Sequence, residues 1–156
     1  MPIRWSEDEY KYGVNHVIAS VIQGEAGSIQ AQFAVASVML NRQREEAFAG
    51  PLGSHGFGSI QRVVTPEQFN GFAAPEPQAK NLAILLLSGK LETLGECGNA
   101  LFYASKNLSN AVWANPRSEQ GEEFFERAKD VGGNFFSDRM GAPSHDFVAP
   151  EYKGSA

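Results

Sequence analysis

An apolar stripe near the N-terminus is the feature that most constrains the fold. Valine and isoleucine recur there at the helical spacing i, i+3, i+4, i+7 and i+8, as Val14, Val17, Ile18, Val21 and Ile22. This spacing places all five side chains on one face of a helix that packs against a core. Ser6 and Glu9 have the spacing of a capping box, which predicts the helix start. Gly24 and Gly27 predict its end.

The remaining pattern predicts a mainly helical domain with one small antiparallel β ribbon, which is the α+β class. Proline and glycine mark the ends of the later segments, and Ser118 is a suitable N-cap. The expected elements are a helix over 29–46, a helical turn at 60–64, a helix opened by Pro75 and Pro77 and stopped by Gly89, a strand at 100–104, a helix from Ser118 ended by 131–133, and a strand at 134–137.

The 156 residues suit one domain, which we expect over 1–138, followed by an irregular tail over 139–156 that is rich in Pro, Gly and Ser. The net charge is −5 and no run of Lys or Arg occurs, which argues against nucleic acid as a partner. No stretch reaches the roughly 18 apolar residues of a membrane span. Residues 1–12 lack the pattern of a signal peptide, so we expect synthesis in the cytoplasm without a standard export signal.

Cys97 is the single cysteine, so no internal disulfide can form. One alternative is a cysteine amidase or peptidase that pairs Cys97 with His145, although no motif surrounds either residue. The other is that Cys97 is an inert small side chain. The chain has no paired Cys/His motif and no His-Glu-x-x-His motif, so we expect neither a metal site nor a cofactor.

Glu25 is the candidate catalytic residue. It follows Ile18, Val21 and Ile22 by seven, four and three residues, which places it on the apolar face of the first helix. Partial desolvation there favours the protonated carboxyl group that a general acid requires. The small residues on either side leave room for a substrate. Spacing alone also allows a water-exposed glutamate at a frayed helix end.

Five ordered blocks extend from the first helix to the last predicted strand. They are Gln23–Ala26, Val38–Arg42, Val63–Phe69, Ala100–Tyr103, and Trp113 with Gly133–Phe136. Together they resemble the SleB-type cell wall hydrolases, the spore-cortex-lytic enzyme family, whose pattern combines Gly-Glu-Ala, a helix ending Leu-Asn-Arg, Val-x-x-Pro-x-Gln-Phe, an Ala-Leu-Tyr-Phe strand and a closing Gly-Asn-x-x-Phe.

The resemblance implies a lysozyme-like fold, with Glu25 as the catalytic residue. It also implies cleavage of the β-1,4 bond between N-acetylmuramic acid and N-acetylglucosamine in peptidoglycan. Because aromatic rings stack on sugars and amides bond to hydroxyl and N-acetyl groups, the substrate-binding candidates are Gln68, Tyr103, Trp113 and Asn134. Core packing is the alternative for the two aromatic residues. Asn41 and Arg42 are expected to hold loops near the site.

The sequence departs from the family pattern after Ala26, where members often carry a second glutamate and this chain has Gly27, Ser28 and Ile29. A retaining hydrolase needs a second carboxylate about 5 Å from the first. A lytic transglycosylase works with one, since the C6 hydroxyl of the sugar closes a 1,6-anhydro ring, and many family members act this way. We therefore expect a lytic transglycosylase. The alternatives are a muramidase, whose second carboxylate would come from Glu45, Glu67, Glu119 or Glu122, and a catalytically silent glycan-binding module.

The expected partner is the glycan strand of peptidoglycan, met at the cell wall by a monomeric enzyme. Three delivery routes to the cell wall remain as alternatives. The protein could be a phage endolysin that passes a holin pore or a tail-associated lysin. It could equally be an effector that uses a secretion machine and is countered by an immunity protein. Neighbouring genes would distinguish these routes.

Overall fold

The computed structural model describes residues 13–44, 60–65, 68–92, 99–105 and 112–138. The elements in chain order are α1 (Val14–Glu25), α2 (Ile29–Arg44), the single turn α3 (Ile60–Val63), α4 (Pro77–Leu87), β1 (Phe102–Ala104), a 3₁₀ turn (Val112–Ala114), α5 (Glu119–Arg127), β2 (Lys129–Val131) and β3 (Asn134–Ser137). This mixture of helices with a small antiparallel sheet confirms the predicted α+β class. The predicted tail over 139–156 and Cys97 lie outside the described residues.

Helices α1 and α2 form the centre of the core. In α1 every residue from Val17 to Ile22 is buried, including the polar Ser20. In α2 nearly every residue from Ala31 to Arg42 is buried, because its alanines and serines allow neighbouring elements to approach on all sides. Helix α4 packs against both. Each fully buried Val or Ile side chain contributes about 1.5–3 kcal/mol to folding, so this centre is the stable base on which the site is built.

Several predicted helix ends are confirmed, among them the end of α1 and the start of α5, whereas the predicted start of the first helix was wrong. Helix α1 begins at Val14 after Gly13, without a side-chain cap, and the predicted capping box at Ser6 and Glu9 lies outside the described residues. Ser118 caps α5 by accepting a bond from the Gly121 amide at 2.9 Å. No helix in the described segments is long and apolar enough to cross a membrane.

The sheet has three strands in the order β1-β3-β2, all antiparallel. The pairing of β1 with β3 was expected, whereas β2 was not, so the prediction of a two-stranded ribbon was wrong. Helix α5 ends at Arg127, before the predicted stop at 131–133. Gly132 and Gly133 instead form a two-residue hairpin turn with φ values of 63° and 95°. Two consecutive positive φ values are typical of the type I′ turn, which glycine adopts without steric cost.

Two buried polar residues at the end of α2 fix the segment that leads into β1. Asn41 donates from Nδ2 to the carbonyl of Ala100 at 2.9 Å, and Arg42 donates from Nε to the carbonyl of Leu101 at 2.7 Å. The Arg42 guanidinium also lies over the Phe102 ring, 5.6 Å from its centroid. Both residues therefore hold a chain segment near the site, as the sequence predicts.

Candidate active site

Glu25 is the last residue of α1 and is partly buried. The helix stops there because Ala26 is extended, with φ −151° and ψ 143°. Ala26 is buried, and its carbonyl accepts a 3.0 Å bond from Nε2 of Gln32 in α2. The carboxyl group of Glu25 therefore emerges at a fixed junction between the two central helices.

Each oxygen of the Glu25 carboxyl group receives one hydrogen bond. The backbone N–H of Gly71 donates to Oε2 at 2.5 Å, and the hydroxyl of Tyr103 donates to Oε1. The two donors come from different elements, so they fix the orientation of the carboxyl group. An ionised carboxylate has about four lone-pair positions, and these bonds occupy only one on each oxygen. The remaining positions leave Glu25 able to exchange a proton with a bound substrate.

A contact between two glycine backbones places the Gly71 amide. A Cβ atom on Gly24 would lie 2.5 Å from the Gly71 carbonyl carbon, and a Cβ atom on Gly71 would lie 2.5 Å from the Gly24 carbonyl carbon. Real Cβ atoms do not approach backbone so closely, so only glycine fits at either position. This contact brings residues 70–76, which we call the acid-flanking loop, directly against the end of α1.

Two further hydrogen bonds, both donated by backbone amides of the acid-flanking loop, hold this loop against α1. The amide of Ala73 donates to the carbonyl of Ser20 at 3.0 Å. The amide of Glu76 donates to Oε1 of Gln23, also at 3.0 Å. Together with the Gly71 bond to Glu25, these contacts are distributed over the length of the loop and hold it in one position.

Tyr103 lies in β1, and its ring stacks with Phe136, with centroids 5.2 Å apart, and with Phe69, with centroids 6.4 Å apart. Both phenylalanines are fully buried. The ring is thus held by the core while the hydroxyl reaches Glu25. The sequence suggested Tyr103 as a sugar-binding residue, and the structure gives it a second contact, with the catalytic candidate, that the sequence did not predict.

Gln68 and Asn134 are two further residues that the sequence predicts to bind sugar. Gln68 is in the turn that precedes the acid-flanking loop, where its backbone N–H donates to the Thr65 carbonyl at 3.1 Å. Asn134 is partly buried at the start of β3. The adjoining hairpin turn contacts the α1–α2 junction, because Ser28 Oγ donates to the Gly132 carbonyl at 3.2 Å. The hairpin turn that precedes Asn134 therefore lies against the α1–α2 junction, and sugar binding by Asn134 stays a prediction.

Trp113 lies in a cluster of aromatic residues. Its ring packs edge-to-face on Phe102 at 5.7 Å and on Phe124 at 5.0 Å between centroids. Because neighbouring residues of a strand point to opposite faces, the Phe102 side of β1 is opposite the Tyr103 side. Trp113 thus contacts the core on the face away from the Tyr103–Glu25 pair, which matches the packing alternative; sugar binding by Trp113 stays a prediction.

Two of the four carboxylates suggested as a second acid belong to the described residues. Glu119 and Glu122 lie in the first turn of α5, while Glu45 and Glu67 lie outside the described residues. The same segments contain no group of three His, Cys, Asp or Glu that could hold a metal ion. The oriented carboxyl group at this site is that of Glu25, which is held by one donor on each oxygen.

No protein-family profile matches the chain, and no curated protein or solved structure is significantly similar to it. The functional conclusion consequently depends on the arrangement around Glu25.

Proposed function

We propose that the protein is a lytic transglycosylase with a lysozyme-like arrangement, which cleaves the β-1,4 bond between N-acetylmuramic acid and N-acetylglucosamine at the cell wall. The observation that carries the proposal is the carboxyl group of Glu25, partly buried at a helix junction and bonded by one fixed donor on each oxygen. The resemblance of the five sequence blocks to the SleB-type hydrolases points to the same substrate.

In the first step, Glu25 gives its proton to the glycosidic oxygen as the bond from that oxygen to C1 of the muramic acid breaks. The leaving sugar departs as an alcohol, and positive charge develops on the ring at C1. Glu25 becomes negatively charged at this moment. The Tyr103 hydroxyl and the Gly71 amide donate to the oxygens on which that charge develops, and such preorganised donors are a major source of rate enhancement.

In the second step, the C6 hydroxyl of the same muramic acid attacks C1 and transfers its proton to Glu25. The 1,6-anhydro ring forms, and the carboxyl group returns to its starting state, so no water and no second acid are consumed. Ring closure is intramolecular and gains from proximity. Hydrolysis would require a further group to activate water or to attack C1, whereas ring closure uses Glu25 alone.

We predict that Glu25→Gln lowers the rate of release of soluble fragments from purified sacculi by about 10²–10⁴-fold, because the amide keeps the shape of the side chain but cannot donate the proton. The matched control is Glu126→Gln, the same change on an exposed residue of α5, which should keep full activity. Circular dichroism should show both variants folded. A Glu25→Gln enzyme with more than a tenth of the wild-type rate would exclude Glu25 as the acid.

A further inference from the structure

Phe72 is the exposed aromatic residue of the acid-flanking loop. Four large hydrophobic residues stand out as exposed in the described segments, and they are Ile29, Phe72, Ile84 and Leu85. Phe72 is the aromatic member of this group, and half of its surface is accessible to solvent. Exposing so large an apolar ring forgoes the gain of burying it, which suggests that the ring is used in binding.

Phe72 also has a fixed position relative to the catalytic candidate. It follows Gly71, whose amide lies 2.5 Å from Oε2 of Glu25. Standard backbone dimensions then place the Cα atom of Phe72 within about 7 Å of that oxygen. The amide of the next residue, Ala73, is bonded to the carbonyl of Ser20 in α1. The backbone that carries the ring is therefore ordered before any ligand arrives, which reduces the entropy cost of binding.

The net charge of the chain indicates which kind of contact can supply affinity for peptidoglycan. The protein carries −5, and Glu25 and Glu76 lie at the loop itself. The carboxylates of the stem peptides make peptidoglycan anionic, so long-range attraction does not bring the two together. Affinity for such a polymer has to come from uncharged local contacts. An aromatic face against the C–H groups of a pyranose ring is a contact of this type.

We propose that Phe72 is a stacking platform for the pyranose ring next to the bond that is cleaved, in strands of β-1,4-linked N-acetylated sugars. The proposal rests on the proposed function for its substrate class. Phe72 adds an uncharged binding contact, while Glu25 performs the proton transfer. Loss of the ring should therefore weaken binding more than it slows the chemical step.

The test uses a soluble tetramer of β-1,4-linked N-acetylglucosamine and calorimetric titration. Binding is measured on the full chain in the Glu25→Gln background, so that turnover does not interfere. We expect Phe72→Ala and Phe72→Leu to raise the Kd about tenfold, and Phe72→Trp to stay within about twofold of the parent, since only Trp keeps an aromatic face. The matched control is Ile84→Ala, which removes an equally exposed apolar side chain from α4 and should leave the Kd unchanged.

Activity on sacculi provides the second readout, in variants with Glu25 intact. Phe72→Ala should raise KM about tenfold with kcat within about threefold. Restoration of the parent Kd by Phe72→Leu, or an unchanged Kd in Phe72→Ala, would overturn the stacking role even if the wild type digests sacculi. If the wild type fails to digest sacculi but tetramer binding still depends on an aromatic residue at 72, the proposed function fails and the glycan-binding role of Phe72 stands.

Discussion

The hydroxyl of Tyr103 and the amide of Gly71 define the environment of Glu25 at the level of single residues. One donor is a side chain held by two buried phenylalanines, and the other is a backbone group. Side-chain substitution can therefore remove the first donor without disturbing the second. Hydrogen bonds to charged groups contribute about 1.5–3 kcal/mol. This magnitude sets the loss of transition-state stabilisation that we expect when one donor is removed.

We predict that Tyr103→Phe lowers kcat on sacculi by about 10-fold to 100-fold, because the charge that develops on Glu25 loses one donor. The phenyl ring keeps its stacking with Phe69 and Phe136, so the free energy of unfolding should change by less than about 1 kcal/mol. Ser88→Ala is the control, since it removes an exposed hydroxyl at the end of α4. A Tyr103→Phe enzyme with the wild-type kcat would show that this donor has no part in catalysis.

At the scale of elements, the site depends on the approach of the acid-flanking loop to the end of α1. Gly24 and Gly71 form that contact, and neither position has space for a Cβ atom. Gly27 provides a comparison within the same stretch of chain. A Cβ atom there would meet nothing within 4 Å, and its φ is not in the left-handed region. The two sides of Glu25 therefore differ sharply in their tolerance of a methyl group.

We predict that Gly24→Ala destabilises the protein by about 2–4 kcal/mol, because the methyl group meets backbone that can relax only by moving the loop. Activity should fall as well, since the Gly71 amide moves away from Glu25. Gly27→Ala should be neutral or stabilising by about 0.4–1 kcal/mol through the lower entropy of the unfolded chain. Urea denaturation measures both. Equal stability of the two variants would contradict the close contact.

Local signals explain which elements the sequence predicts correctly. The apolar stripe of α1, the Ser118 cap and the Gly89 stop act within a few residues, so their patterns can be read directly. Strand β2 was missed because Lys129–Val131 is too short to show alternation, and the two glycines after it were interpreted as the end of a helix. They are equally a hairpin signal, and this second meaning could have identified the strand.

Sequence separation explains what could be predicted of the site. Glu25 follows from helical spacing and from the family resemblance. Its two partners are 46 and 78 residues away in the chain, and no spacing rule connects residues so far apart. Tyr103 was selected for its chemistry, although for a different contact, and Gly71 was not selected at all. A backbone donor can be supplied by any residue except proline, so residue type does not identify it.

At the scale of the whole molecule, a helical centre supports a small sheet and the acid-flanking loop, and Glu25 receives one hydrogen bond from each of them. The described segments supply one oriented carboxyl group at this point, together with two donors and an exposed aromatic ring. Such a set suits a reaction in which one group first gives and then accepts a proton. The proposed mechanism therefore makes a definite prediction about the chemical nature of the product.

Mass spectrometry of the fragments released from purified sacculi tests this central claim most directly. We predict that the wild type releases fragments ending in 1,6-anhydro-N-acetylmuramic acid, lighter by one water, about 18 Da, than the hydrolytic fragments. Glu25→Gln should release almost none. Fragments with only reducing muramic acid ends would contradict the single-carboxylate mechanism and indicate a muramidase, whose second acid should then be sought at Glu67, Glu119 and Glu122. Absence of any fragments from the wild type would contradict cleavage itself and favour a silent glycan-binding module.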